Sequence, residues 1–250
     1  MTLPRSLLLV LLAAPVGALA GCARHQVQPN AAVSADPAPA VSGERGHAAA
    51  PPPNTEPQAV APDAAADSLL TDVRAVDSTI VVELRYLGSR NFTGAPLPGY
   101  AANRALLRRA AAAALGRVQA RLGTGGLGLR IWDAYRPVRA TLAMVAWAER
   151  TGQTHLLDDG YIARRSRHNQ GVAVDLTLVD RGTGTELDMG TPFDTFSAEA
   201  HTANATGRVL RYRQILVRAM ESEGFANYDQ EWWHFSYPVQ GAVPFDRVVQ

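Results

Sequence analysis

Two short stretches hold side chains that could bind a metal together. SRHNQGVAVDLTL (residues 166–178) carries His168 and Asp175, and DQEWWHFSYP (residues 229–238) carries Glu231 and His234. In an extended run, Val172, Val174, Leu176 and Leu178 share one face, while Ala173, Asp175 and Thr177 share the other. The first set is core material. The second is small, acidic, small, which leaves open space around one carboxylate and suits a ligand better than a packing surface. His168 stands seven residues before Asp175, so a continuous strand would put them on opposite faces. Gly171 lies between them and permits a bend. With that bend, His168 folds back over Asp175.

A catalytic zinc takes three protein ligands and keeps a fourth position for water. The third ligand could come from His155, His201 or His234. His155 lies in an unframed polar stretch and His201 in a loop-like one. His234 has Glu231 three residues before it, and a hydrolytic zinc needs a nearby base for its water. That carboxylate selects His234. On a helix Glu231 and His234 would share a face; on a regular strand they would oppose. The run Trp232-Trp233-His234-Phe235 favours strand, which places Glu231 in the incoming turn or a bulge, with the tryptophans walling the site. Taken singly, either stretch also reads as a satisfied His–Asp core contact. Arg136, in WDAYRP, also reads as a core arginine paired with Asp133.

These groups need a scaffold. Ile80 to Tyr86 alternates as a strand, and Ala101 to Leu122 reads as a helix closed by Gly123, with its arginines on a solvated side. Leu127 to Trp132 reads as a strand. Val138 to Arg150 reads as a helix with Pro137 at its first turn. Val172 to Leu178 is a strand, Thr206 to Glu223 a helix, and YDQEWWHFSY the last strand. Strands and helices do not alternate regularly. The expected fold is therefore α+β: a small, largely antiparallel sheet, helices packed on one side, and the zinc site in the sheet cleft.

The front of the chain is different. Residues 1–21 run from one arginine through an apolar stretch to small residues, the order of an export signal too short to span a bilayer as a mature helix. Leu19-Ala20-Gly21-Cys22 is similar to a bacterial lipoprotein signal, in which Cys22 becomes the lipidated first residue. Cys22 is the only cysteine, so the mature protein would have no thiol for disulfides, cysteine zinc sites or thiol nucleophiles. Residues 22–66 are rich in Ala and Pro and read as a disordered tether, with a reach of about 35–40 Å. Residues 67–250 form one catalytic domain. With Ala23 after the cysteine, the expected location is the periplasmic face of the outer membrane in a Gram-negative host. A net charge of +1 gives no case for nucleic acid.

The motifs in order carry a resemblance. SRHNQGVAVD and EWWHF, with NFTG, WDAYRP, MGTPFD and AHTAN between and before them, resemble the D-alanyl-D-alanine dipeptidases, VanX-like zinc metallopeptidases of the lysostaphin and D-Ala carboxypeptidase group. The resemblance implies one Zn2+ per subunit held by His168, Asp175 and His234. It implies Glu231 as general base and acid, Arg136 as oxyanion stabiliser, and Tyr86, Ser166 and Asp194 as lining for the substrate's pocket and amino terminus. The implied substrate is D-Ala-D-Ala, with the lipid anchor as the membrane contact and no protein partner. Peptidoglycan D,D- or L,D-carboxypeptidase activity and a non-catalytic peptide-binding lipoprotein are the alternatives. Resistance-type members have no export signal, so a role in glycopeptide resistance does not follow.

Overall fold

The centre of the molecule is the strand read from residues 172–178. A computed structural model describes residues 59–250; the export signal, Cys22 and residues 22–58 of the tether lie outside the described residues. The order is α1 (Asp63–Leu69), β1 (Leu70–Asp72), α2 (Val73–Val76), β2 (Val81–Val82), β3 (Leu106–Arg108), α3 (Arg109–Gly123), β4 (Leu127–Asp133), α4 (Val138–Arg150), α5 (His155–Asp158), β5 (Ala173–Asp180), α6 (Gly207–Glu221), β6 (Ala226–Asn227) and β7 (His234–Ser236). The five-stranded sheet has the order β2-β4-β5-β7-β6. Its β4–β5, β5–β7 and β6–β7 pairs are antiparallel, and β2–β4 is parallel. The α+β expectation holds. A second sheet pairs β1 with β3. The folded part begins upstream of residue 67: Ala61 N–H donates to the Pro244 carbonyl at 2.9 Å, and Ala66 of α1 is buried.

Helices α3 and α6 pack on β4, β5 and each other, covering one side of the sheet. On that scaffold Val174, Leu176 and Leu178 belong to the core. Gln119 of α3 is buried yet satisfied, donating to Thr79 Oγ1 at 2.8 Å and accepting from Leu129 N–H at 2.9 Å. Arg117 and Arg121, on the solvated side of α3, both pair with Glu223.

Two expected elements are shorter than periodicity predicts. The strand from Ile80 to Tyr86 ends at Val82 because the Asn103 side chain donates to Val82 O at 2.8 Å and accepts from Leu84 N–H at 2.9 Å, standing in for a neighbouring strand. Arg85–Leu87 then forms a 3-10 turn that buries Tyr86. The helix expected from Ala101 begins only at Arg109, because Leu106–Arg108 pairs with β1. A ladder partner overrides helix propensity there.

Candidate metal centre and active site

The sheet register lines up three polar side chains. Asp133 on β4 pairs with Asp175 on β5, and Asp175 pairs with His234 on β7. Directly opposed residues on one face put their side chains within reach of each other. His234 Nδ1 lies 2.9 Å from Asp175 Oδ1.

His168 joins from the chain just before β5. Residues Arg167–Gln170 form a 3-10 turn capped by Ser166, whose Oγ accepts from His168 N–H at 3.2 Å, with Asn169 Oδ1 accepting in return from Ser166 N–H at 3.2 Å. Gly171 closes this turn in the left-handed region, φ 66°, and a Cβ there would meet Leu70 Cδ2 at 2.4 Å. The bend expected at this glycine is present, and it folds His168 over Asp175 with Nε2 3.3 Å from Oδ2. His168 Nδ1 sits 2.6 Å from the Ala134 carbonyl. A carbonyl only accepts, so Nδ1 carries the proton and the Nε2 lone pair faces the cluster.

The donor atoms of His168, Asp175 and His234 all lie within 4.8 Å of one another, and the two imidazoles approach at 3.2 Å. Tetrahedral ligands about 2.0–2.1 Å from a zinc stand about 3.3 Å apart. Two neutral imidazoles and a carboxylate are a zinc donor set, so the residues fit the ion. Burial works against the Asp175 charge, yet His168 and His234 beside it prevail and hold its carboxyl well below the usual range. Burial lowers His234, favouring the neutral, ligating form. His155 is exposed, and His201 pairs with Tyr161 Oη at 3.2 Å; among the described residues neither joins the donor group.

The last expected strand is a correction. Only His234–Ser236 is strand; residues 228–233 form a turn. The turn is held by Asn227, whose Nδ2 donates to the Glu231 and His234 carbonyls at 3.1 and 3.0 Å. Trp232 and Trp233 are buried in that turn, edge to face at 5.3 Å. Glu231 sits in it as expected, its Oε2 3.9 Å from His234 Nδ1. Burial, then the charges of Asp175 and Asp194, push the Glu231 carboxyl well above its usual range, opposed by Arg136 and by a hydrogen bond from Trp233.

Arg136 makes the Asp133 pair of its core reading and also reaches the donor cluster. Its Nε and Nη2 reach Asp133 Oδ2 at 2.8 Å, while Nη2 is 3.7 Å from Asp175 Oδ2 and the guanidinium lies over the Tyr86 ring at 5.1 Å. Asp133, fully buried, also accepts from Tyr100 Oη at 2.6 Å. In the sequence Asp133 is only a salt-bridge partner for Arg136; its place beside Asp175 arises from the register of β4 against β5.

Beside the Arg136 guanidinium, Tyr86 Oη donates to Asp194 Oδ1 at 3.0 Å, and Asp194 Oδ2 is buried without a hydrogen-bond partner. Asp194 holds φ 61°, the one positive value at a described non-glycine residue. Strain of that kind concentrates at functional sites. Tyr86, Arg136, Ser166, His168, Asp175, Asp194, Glu231 and His234 all line one cavity of about 390 Å³. Every residue that the resemblance assigns within the domain lines it.

Burial, then the Asp175 charge, pushes the Asp194 carboxyl up to about 8. Its charged form is disfavoured in the fold, so this group costs stability as pH rises from about 4 through about 8. Asn tolerates the left-handed backbone. In metal-free protein, Asp194→Asn should therefore melt higher than the parent by roughly 5–10 °C at about pH 9, the gap closing near pH 4. A gap equal at both pH values in thermal melts would mean an ordinary carboxylate.

A sequence profile described as D-ala-D-ala dipeptidase, of the peptidase M15 class, matches residues 66–249. The chain is 36% identical to a D-alanyl-D-alanine dipeptidase of Streptomyces coelicolor, over 62% of this chain and 84% of that one. It is 35% identical to one of Enterococcus faecalis, over 61% and 83%. An Escherichia coli dipeptidase of the same name is 32% identical, over 70% of this chain and 88% of its own. On the strength of these matches and of a donor set suited to zinc, the chain belongs to the peptidase M15 D-Ala-D-Ala dipeptidase family.

Proposed function

We propose that this chain is a zinc-dependent dipeptidase that hydrolyses D-Ala-D-Ala in cell-wall peptide turnover. The observation that carries the reading is one cavity holding a three-donor metal group, a buried carboxylic acid beside it, and an unpartnered carboxylate oxygen in its wall. The relatives at 32–36% identity bear that enzyme's name.

His168, Asp175 and His234 would hold the ion. Zinc in such a site supplies Lewis acidity, making water a nucleophile near neutral pH and polarising a carbonyl. Glu231 takes the proton of the attacking water and passes it to the leaving amine. Its place outside the donor triangle, 3.9 Å from His234 Nδ1, suits both halves of that transfer. Arg136 stabilises the tetrahedral oxyanion by fixed charge, with Asp133 setting its orientation. Asp194, backed by Tyr86, takes the substrate ammonium, whose charge would complete the orphaned Oδ2. Ser166 lines the wall beside His168. Arg136→Met should lower kcat about 10²–10³-fold with zinc content retained, measured by steady-state kinetics beside elemental analysis. Loss of zinc instead would make Arg136 a support for Asp175 alone.

An acid closing the amine end favours a free dipeptide over a stem peptide, which has no ammonium there. A pure peptide binder needs neither Glu231 nor Arg136. Export and lipidation at Cys22 would, in a Gram-negative host, place the enzyme at the periplasmic face of the outer membrane, where it meets wall-turnover peptides; the order of residues in the leader supports this. The deciding assay incubates zinc-loaded protein with free D-Ala-D-Ala and with intact stem peptides and follows released D-Ala. Release from the dipeptide alone is expected; release from stems alone would make the enzyme a carboxypeptidase.

A further inference from the structure

A fully buried arginine stands behind the amine end of the cavity, outside the chemistry described so far. Arg213 on α6 is 1% exposed. Among the described residues no carboxylate forms an ion pair with it. Its Nε donates to the Met189 carbonyl at 2.8 Å, Nη1 to the His201 carbonyl at 2.7 Å and Nη2 to the Glu199 carbonyl at 3.1 Å. The guanidinium carbon lies 5.8 Å from the Trp232 ring centroid. Burying a cation with no direct ion pair, only the Asp188 charge farther off, is costly, and the planar fork of guanidinium N–H groups is suited to gripping several carbonyls in fixed directions.

Those carbonyls belong to two loops that shape the cavity. Met189 opens the loop that ends at Asp194. Gly190 beside it, φ 92°, lies so close to α6 that a Cβ would meet Val209 Cγ1 at 2.7 Å and Arg213 Nη2 at 3.1 Å. Thr191 Oγ1 next accepts from Trp232 Nε1 at 2.8 Å. Asp194 then adopts its strained backbone and meets Tyr86. The second loop, Glu199 to His201, carries the imidazole that contacts Tyr161 at the cavity wall.

We infer that Arg213 is a positioning residue for substrate binding: by fastening Met189 and the 199–201 turn to α6, it holds Asp194 where the substrate ammonium arrives. This rests on the reading of Asp194 as the ammonium acceptor. Arg213 hydrogen-bonds neither the metal donors nor Glu231. The Glu231 turn also meets the 199–201 turn through Trp232 N–H and the Ala200 carbonyl, yet it keeps its Asn227 bonds without Arg213. Removal of Arg213 should therefore weaken binding more than turnover.

The test is a double-mutant cycle on zinc-loaded full chain with D-Ala-D-Ala. Arg213→Met preserves a long apolar stem over Trp232 and removes the donors. It should raise KM about tenfold with kcat within about twofold of the parent and zinc content unchanged. In an Asp194→Asn background the same substitution should leave KM nearly unmoved, because both changes disable one interaction. Arg213→Lys should give an intermediate KM and the same non-additivity, and it serves if the methionine variant does not fold. An equal KM increase in both backgrounds would reduce Arg213 to a structural residue and overturn the inference, as would a fall in kcat at constant KM. If Asp194→Asn raises KM and Arg213→Met does not, only this inference falls. If Asp194→Asn leaves KM unchanged, the ammonium reading falls first and takes this inference with it.

Discussion

Replacing Glu231 by alanine is expected to lower kcat for D-Ala-D-Ala about 10²–10⁴-fold, the range for a lost general base, while bound zinc stays near the parent level. The geometry separates the two effects. Glu231 stands outside the donor triangle, 3.9 Å from His234 Nδ1, on a turn whose backbone is held by Asn227 rather than by its own carboxylate. Glu231→Gln should fail equally, since an amide of the same shape cannot accept the proton. Kinetics paired with elemental analysis of the same samples checks this. Zinc lost in proportion to activity would make Glu231 a ligand.

Replacing Asp175 by alanine is expected to abolish both metal retention and turnover. It is the only anionic donor of the group and the cross-strand partner of His234. Without it the imidazoles face each other at 3.2 Å with no carboxylate among the donors. Zinc content after dialysis should fall to background, with activity following. The same variant alters acid stability. The Asp175 carboxyl is held below its usual range, so it contributes stability above about pH 4 that fades as pH falls. The metal-free variant should therefore be less stable than the parent at neutral pH and differ little in strong acid. Full zinc occupancy in Asp175→Ala would mean another residue is the oxygen donor.

Much of this site is legible because it depends on local pattern. Alternation in residues 172–178 separates Asp175 from the core face, and Gly171 supplies the one bend that brings His168 back. Glu231 near His234 marks the third donor whether the stretch is strand or turn. What was not legible depends on register and on side chains that replace backbone partners. Asp133 reads as part of an apolar strand until β4 is laid against β5. Asn103 and Asn227 end or fold their segments through side-chain amides, shortening the strands that β-branched and aromatic residues promise. The pairing of β1 with β3 joins segments more than thirty residues apart, and no periodicity within either one announces it.

The most direct test is a zinc titration of metal-free protein with D-Ala release followed in the same tubes. Three donors converging on one point should give bound zinc and activity that rise together and saturate at one equivalent per chain. Activity that ignores added zinc, or zinc that binds without restoring hydrolysis, would contradict the account at its centre.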